Sequence, residues 1–179
     1  MMLPKVYVPG PGFQEAYSTM EMCEMIMRPI VDYLQSKVIV CPCDTDESSF
    51  VKWLHKYTNA TVINIGDEDV NSDQTRTMMN MCDLVITDPP FDPRVFDPFI
   101  YYMEAHHISF LILGPYSRDY TNAVIREYKC QDDIFWPHTL ITGAPHRVRG
   151  RMYTNDKVII ERSERYVLEK SKTNHTDIV

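Results

Sequence analysis

Four short apolar runs, separated by segments of helical pattern, govern what this chain can fold into. They are KVIVC (residues 37–41), ATVINIG (60–66), DLVIT (83–87) and ISFLILG (108–114). Each is short, rich in β-branched residues and bounded by turn formers, so each reads as a strand. ISFLILG is apolar throughout, which suits the middle of a sheet covered on both faces.

The segments between them have helical spacing. Cys23, Ile26, Met27, Ile30, Val31 and Leu34 recur every three or four residues, the apolar stripe of a helix. Ser18-Thr19-Met20-Glu21 reads as its capping box, and Pro29 predicts a kink. FVKWLHKY follows the first strand, and a Met-rich stretch ending near Met81 follows the second. After the third, Asp97-Pro98 reads as an N-cap and first helical position. Ser117 to Tyr128 reads as one more helix, with Tyr120, Val124, Ile125 and Tyr128 on one side.

RVRGRMYT and KVIIE, flanking Asn155-Asp156-Lys157, read as a late hairpin. Strands alternating with helices over short connections predict an α/β fold, a mostly parallel sheet with an antiparallel C-terminal hairpin. Residues 1–165 are expected to form a single domain whose first 17 residues are an irregular arm. Residues 166–179 read as a disordered tail.

Composition narrows the partners. The 179 residues carry a formal net charge of −7, opposed to avid unaided DNA binding. Arg147, Arg149 and Arg151 alternate in HRVRGR as the clearest basic patch, read either as a solvated strand face or as a phosphate contact. Five cysteines at irregular spacing fit reduced thiols. The start has no signal-peptide pattern and no apolar run is long enough to span a bilayer, so a cytoplasmic protein is expected. His106-His107 reads as a helix C-cap, without partners at metal-ligand spacing, and no metal is expected. Trp53 and Trp136 read as packing residues.

In an open α/β sheet, ligands bind outside the carboxyl ends of the strands. The loops that should lie there, 42–49, 66–73 and 88–93, are all acidic. There is no GxGxxG and no P-loop. Acidic loops repel phosphate but suit ribose hydroxyls and a positive centre, as in S-adenosylmethionine.

Asp88-Pro89-Pro90-Phe91 ends the third strand. Proline fixes its own φ and restrains its predecessor, so the Asp88 carboxylate and the Pro89 carbonyl can face one point. Two converging acceptors suit an NH2 group, and Phe91 can stack on the ring that bears it.

This tetrapeptide resembles the (D/N/S)-P-P-(Y/F/W) signature of amino-methyltransferases. The order of AYST (16–19), CPCDTDESSF (41–50), DLVITDPPF (83–91), FLILGP (110–115) and YTN (153–155) is similar to that of the EcoRI-type adenine-specific DNA methyltransferase family, from about Phe13 to Ile160. The resemblance implies a Rossmann-like class I methyltransferase fold and S-adenosylmethionine-dependent transfer of a methyl group to the N6 amine of adenine in DNA. It implies that Tyr17, Ser18 and Thr19 meet the methionine part of the cofactor, and that Cys41, Pro42 and Asp44 form a cofactor-binding loop after strand one, with Asp44 near the cofactor's amino group. Asp69 and Val70 would lie by the cofactor's adenine, Asp67 offering an alternative register. Asp88 would also border the cofactor. Asp88, Pro89 and Phe91 would grip the target base.

The FxGxG common in adenine methyltransferases is absent, as is a recognisable target-recognition domain. DNA as a single strand or through a partner subunit, and a homodimer, are compatible assemblies. Methylation of another planar amine (an RNA base or a glutamine amide) and a catalytically silent cofactor- or nucleotide-binding module stay open as alternatives. Ser18 and Thr19 equally suit a helix cap, and Asp44, Asp46 and Glu47 a solvated loop before a helix.

Overall fold

The computed structural model describes residues 16–17, 19–66, 69–130, 135–140 and 145–176, and at 16–17, 135–140, 145–149 and 175–176 the backbone only. Strand β1 (Ala16–Tyr17) precedes helix α1 (Met20–Met27), a 3-10 turn (Arg28–Ile30) and α2 (Val31–Leu34). Then follow β2 (Val38–Cys41), α3 (Ser49–Tyr57), β3 (Thr61–Asn64), α4 (Asp73–Asn80), β4 (Leu84–Thr87) and α5 (Pro93–Ala105). The remainder is β5 (Phe110–Pro115), β6 (Arg126–Tyr128), β7 (Phe135–Leu140), β8 (Pro145–Thr154) and α6 (Lys157–Thr176).

The expected Rossmann-like α/β arrangement is the one observed. Strands β3, β2, β4 and β5 lie side by side in that order and are all parallel. β8 inserts antiparallel next to β5, and β6 pairs antiparallel with the other side of β8, so across these six strands only β8 runs against the rest. The N-terminal part of β8, up to Arg149, pairs with β7, which in turn pairs with β1.

Alternation along the strands sorts two cores. Ile39, Cys41, Leu84, Ile86, Leu111 and Leu113 face the layer of α1, α2, α3 and α6. Val40, Val85, Phe110, Ile112 and Tyr153 face α4 and α5. β4 and β5 are buried along their whole length, as double coverage requires. Among the described residues no helix is long and apolar enough to cross a membrane.

Local chemistry sets the helix starts. Thr19 is the N-cap of α1, its Oγ1 accepting from the Met22 amide at 3.2 Å; Ser18 lies outside the described residues. Pro29 produces the 3-10 turn that separates α1 from α2, the kink expected from its missing N–H.

Several expectations are corrected. α5 begins at Asp92-Pro93, not Asp97-Pro98, with the Asp92 carboxylate accepting from the Arg94 amide at 2.9 Å. Pro98 is accommodated inside the helix at an exposed position. Ser117 to Tyr128 is not a helix. Asn122 Oδ1 accepts from the Val124 and Ile125 amides in a turn, and 126–128 extend as β6 because β8 offers them an edge.

The late hairpin does not form at Asn155-Asp156-Lys157. The Asp156 carboxylate instead accepts from the Val158 and Ile159 amides and starts α6, while the adjoining part of β8 pairs antiparallel with β5 and β6. The expected disordered tail is helical as far as Thr176. Its Glu, Lys and Arg are helix formers continuing from a first part docked by buried Ile159 and Ser163. Of the expected irregular arm, residues 16–17 are strand β1, and the rest lies outside the described residues.

Candidate functional site at the carboxyl ends of β2 and β4

From β2 the chain moves outward to β3, then returns to place β4 on the other side of β2. That reversal is a topological switch point, where α/β sheets bind ligands. The loops leaving β2 and β4 are the two that carry Cys41-Pro42-Cys43-Asp44 and Asp88-Pro89-Pro90-Phe91.

Asp44 joins them. Its buried carboxylate accepts hydrogen bonds from Ser48 Oγ, from Thr87 Oγ1 at 2.5 Å and from the Asp88 backbone amide. Thr87 Oγ1 in turn accepts from the Cys43 amide at 3.2 Å. A short polar chain thus crosses from one loop to the other through the interior. Burial pushes the Asp44 carboxyl up from its ordinary 3.8 to about 6, and the three donors hold it back.

Asp88 and Pro89 are buried, while Phe91 is half-buried. The Phe91 ring meets Phe96 of α5 edge-on, with centroids 6.5 Å apart and planes at 86°. Cys23 of α1 lies close enough to feel both carboxylates. Its thiol is pushed well above the usual range by burial first, and then by the negative charge of Asp44 and Asp88. Immediately beyond Phe91, Asp92 pairs with Arg94 at 2.5 Å, and that hydrogen bonding lowers its carboxyl below the ordinary value.

The neighbouring loop, after β3, is fitted closely against this arrangement. Gly66 has φ +60, a left-handed conformation suited to glycine, and a Cβ there would stand 3.2 Å from Thr45 Cγ2. Exposed Asp46 accepts from Asn64 Nδ2 at 3.0 Å. Glu47 pairs with Lys52 at 3.0 Å. Exposed Asp69 accepts from the Asn71 amide at 3.0 Å, and Val70 is buried against the core that holds Val40 and Cys43. Asp67 lies outside the described residues.

The structure therefore brings Asp44, Asp88, Pro89 and Phe91 together around one edge, with Cys41 and Pro42 buried beneath it. Other candidates are spread out. Tyr17 is in β1, with β7, β8 and β5 intervening before β4. Thr19 caps α1. Arg151 lies over the Tyr116 ring, its guanidinium carbon 4.5 Å from the centroid, and reaches Asp119 at 3.7 Å. Arg147 and Arg149 occupy β8, and their side chains, like that of Trp136, are outside the described residues.

His106 does cap α5: its backbone amide donates to the Tyr102 carbonyl, and its Nδ1 lies 2.9 Å from the same oxygen. Trp53 is buried, its Nε1 donating to Glu24 at 2.6 Å. Thr87 and Ser48 went unpredicted. Thr87 is the one polar residue closing an apolar strand, and Ser48 stands four residues after Asp44, so each had a faint signal.

No family model matches the chain, and no curated protein does. Among solved structures, the "putative methylase HI0767" from Haemophilus influenzae aligns with a TM-score of 0.43 and 11% identity, over 74% of this chain and 87% of that chain. A likeness of that size carries no argument about chemistry.

Proposed function

We propose that the chain transfers a methyl group from S-adenosylmethionine to the exocyclic N6 amine of adenine in DNA. The observation that supports this best is the placement of Asp88-Pro89-Pro90-Phe91 at a switch point, with a buried carboxylate, a buried Pro89 and a partly exposed aromatic ring. The Asp88 carboxylate and Pro89 carbonyl accept from the two N–H bonds of one amine, and Phe91 stacks on its ring. Base–aromatic stacking contributes roughly 1–3 kcal/mol.

The donor set suits the cofactor. Exposed Asp46 and Asp69 offer acceptors for an amino group and ribose hydroxyls, and neither GxGxxG nor a P-loop is present to cradle phosphate. Buried Cys41, Pro42 and Val70 form the base beneath that proposed surface, whereas Tyr17, with β7, β8 and β5 between it and β4, stands apart from it. When bound, S-adenosylmethionine supplies an electrophilic methyl on sulfonium.

The chain's own part is positioning, which can remove roughly 7–11 kcal/mol of a barrier. With both N–H bonds engaged, the amine lone pair is directed at the methyl carbon. S-adenosylmethionine bound there would supply the methyl to the amine nitrogen, its C–S bond electrons staying on sulfur, and the Asp88 carboxylate would pass the amine proton that is released to water. Asp44 acts one step back, because its hydrogen bond from the Asp88 amide fixes the backbone from which the catalytic carboxylate projects. In duplex DNA the adenine must first leave the stack at a cost of a few kcal/mol. Against a chain of charge −7, a single strand or a partner subunit makes that cost easier to meet.

Calorimetry with S-adenosylmethionine, followed by tritiated methyl transfer to DNA, RNA and protein, tests the reading. Asp88→Ala should lower transfer by roughly 10²–10⁴-fold while cofactor affinity is retained. Undiminished transfer by that variant refutes the mechanism, and label found in RNA or protein in place of DNA refutes the substrate.

A further inference from the structure

The lip beside Asp88-Phe91 is formed by the end of β5. β4 and β5 pair with Thr87 opposite Ile112. Phe91 and Tyr116 each lie four residues beyond that pair, in the segments that leave adjacent strands β4 and β5 at the same edge of the sheet, with strand axes roughly 4.8 Å apart at the last pairing.

Tyr116 is held in place. The Tyr153 hydroxyl, having one proton to share, lies 3.2 Å from the Pro115 carbonyl and 2.8 Å from the Arg118 carbonyl, pinning the turn on both sides of Tyr116. Tyr153 can come so close because residue 114 is glycine: a Cβ there would stand 2.6 Å from Tyr153 Cε2 and 2.8 Å from Phe96 Cζ. Phe96 also carries the edge of Phe91, so one aromatic layer supports both lips. Above it, the Arg151 guanidinium lies over the Tyr116 ring and is tethered to Asp119. Tyr116 still keeps 38% of its surface exposed, whereas the Arg151 side chain keeps 22%.

An arginine over a surface tyrosine is ordinary by itself. Here the turn that carries the tyrosine is held on both sides by the Tyr153 hydroxyl, the ring is backed by a guanidinium, and it leaves the strand next to the one that leads to the proposed ring-stacking Phe91. We propose that Tyr116 is a second aromatic contact for the target ring, with Arg151 as the residue that positions it. This rests on the methyl-transfer reading and narrows its substrate class. Two aromatic lips fit a planar nucleobase, whereas an aliphatic side-chain amide has no ring to lay against the second.

The test measures binding of a short single-stranded oligonucleotide carrying one adenine, and of its abasic counterpart, by fluorescence anisotropy. Calorimetric affinity for S-adenosylmethionine serves as the folding control. Tyr116→Ala should weaken the adenine oligonucleotide roughly 5- to 150-fold, the range expected for one stacking contact. The abasic strand and the cofactor should be unaffected. Phe91→Ala should behave similarly, Tyr116→Phe should bind within about twofold of wild type by retaining the ring, and Arg151→Ala should fall between.

If Phe91→Ala weakens the adenine strand and Tyr116→Ala does not, the inference about Tyr116 is overturned and the methyl-transfer reading survives. If the wild type binds adenine and abasic strands alike, there is no ring site at this edge, and both fall together.

Discussion

Protonation of Asp44 should be visible in the stability of the whole protein. Its carboxyl is buried and raised from 3.8 to about 6, with burial as the main cause. The native state therefore binds this proton more tightly than the unfolded chain does. Stability from this group is fully present below about pH 4 and is lost as pH rises through about 6. At 1.36 kcal/mol per pH unit, the loss amounts to about 3 kcal/mol, an appreciable part of a typical domain's stability of roughly 5–15 kcal/mol.

Carboxylates lowered by hydrogen bonds to basic groups, such as Glu24 with Arg28 and Asp32 with Arg162, have the opposite sign. Their contribution is present above the ordinary values of 4.5 and 3.8 and is lost as pH falls below them, at the acid end of the Asp44 window. Urea unfolding of wild type and Asp44→Asn between pH 4 and 7.5 isolates the effect. The wild-type midpoint should fall across pH 4–6.5, and the variant's should be nearly level there. At pH 7 the two should be close, because the amide nitrogen of Asn leaves a neighbouring donor without an acceptor, at about 1–3 kcal/mol, offsetting the charge it removes. Equal pH slopes in the two proteins would show that Asp44 is not the buried titrating group, and the argument for its role as an internal strut would fail.

Thr87→Val removes the hydroxyl that links Asp44 to the Cys43 amide. A destabilisation of about 1–3 kcal/mol should appear in urea titration, together with a lower kcat at unchanged KM for methyl donor; unchanged stability would exclude the link. Gly114→Ala places a methyl against Tyr153 and Phe96. It should cost about 1–3 kcal/mol by overpacking, read as a lower Tm, and should weaken ring binding through displacement of Tyr116; wild-type values for both would refute the close packing at this strand.

The parallel half of the fold was legible because it is written locally. Val38–Cys41, Leu84–Thr87 and Phe110–Pro115 are apolar runs too short to be anything but buried strands. The segment 117–128 misled for a physical reason. Tyr120, Ile125 and Tyr128 are all buried, as helical spacing required, but Val124 is 49% exposed and the chain is extended at its end. Three large apolar residues among twelve satisfy a helical stripe and a turn followed by an edge strand equally well. Which one forms depends on β8, which arrives later in the chain.

Asp156 likewise carries two readings, turn former and helix cap, and its hydrogen bonds from Val158 and Ile159 decide between them. At the site, the Asp88 motif could be read from proline chemistry alone. Its coupling to Asp44 could not, since Asp44 and Thr87 are 43 residues apart and meet only because β2 and β4 are neighbours. Tyr116 was missed for the same reason: its interest comes from β5 lying next to β4.

The insertion of β8 between β5 and β6 also dictates an order of events at the ribosome. When β5 emerges, the neighbour that will cover its outer edge has not been made; the paired residues 150–154 follow some forty positions later. At roughly 5–20 residues per second, the apolar strand Phe110–Pro115 spends several seconds as a bare edge, the kind that recruits foreign strands. For nascent chains stalled before residue 145, chaperone capture should peak at this point in synthesis and fall once β8 clears the exit tunnel.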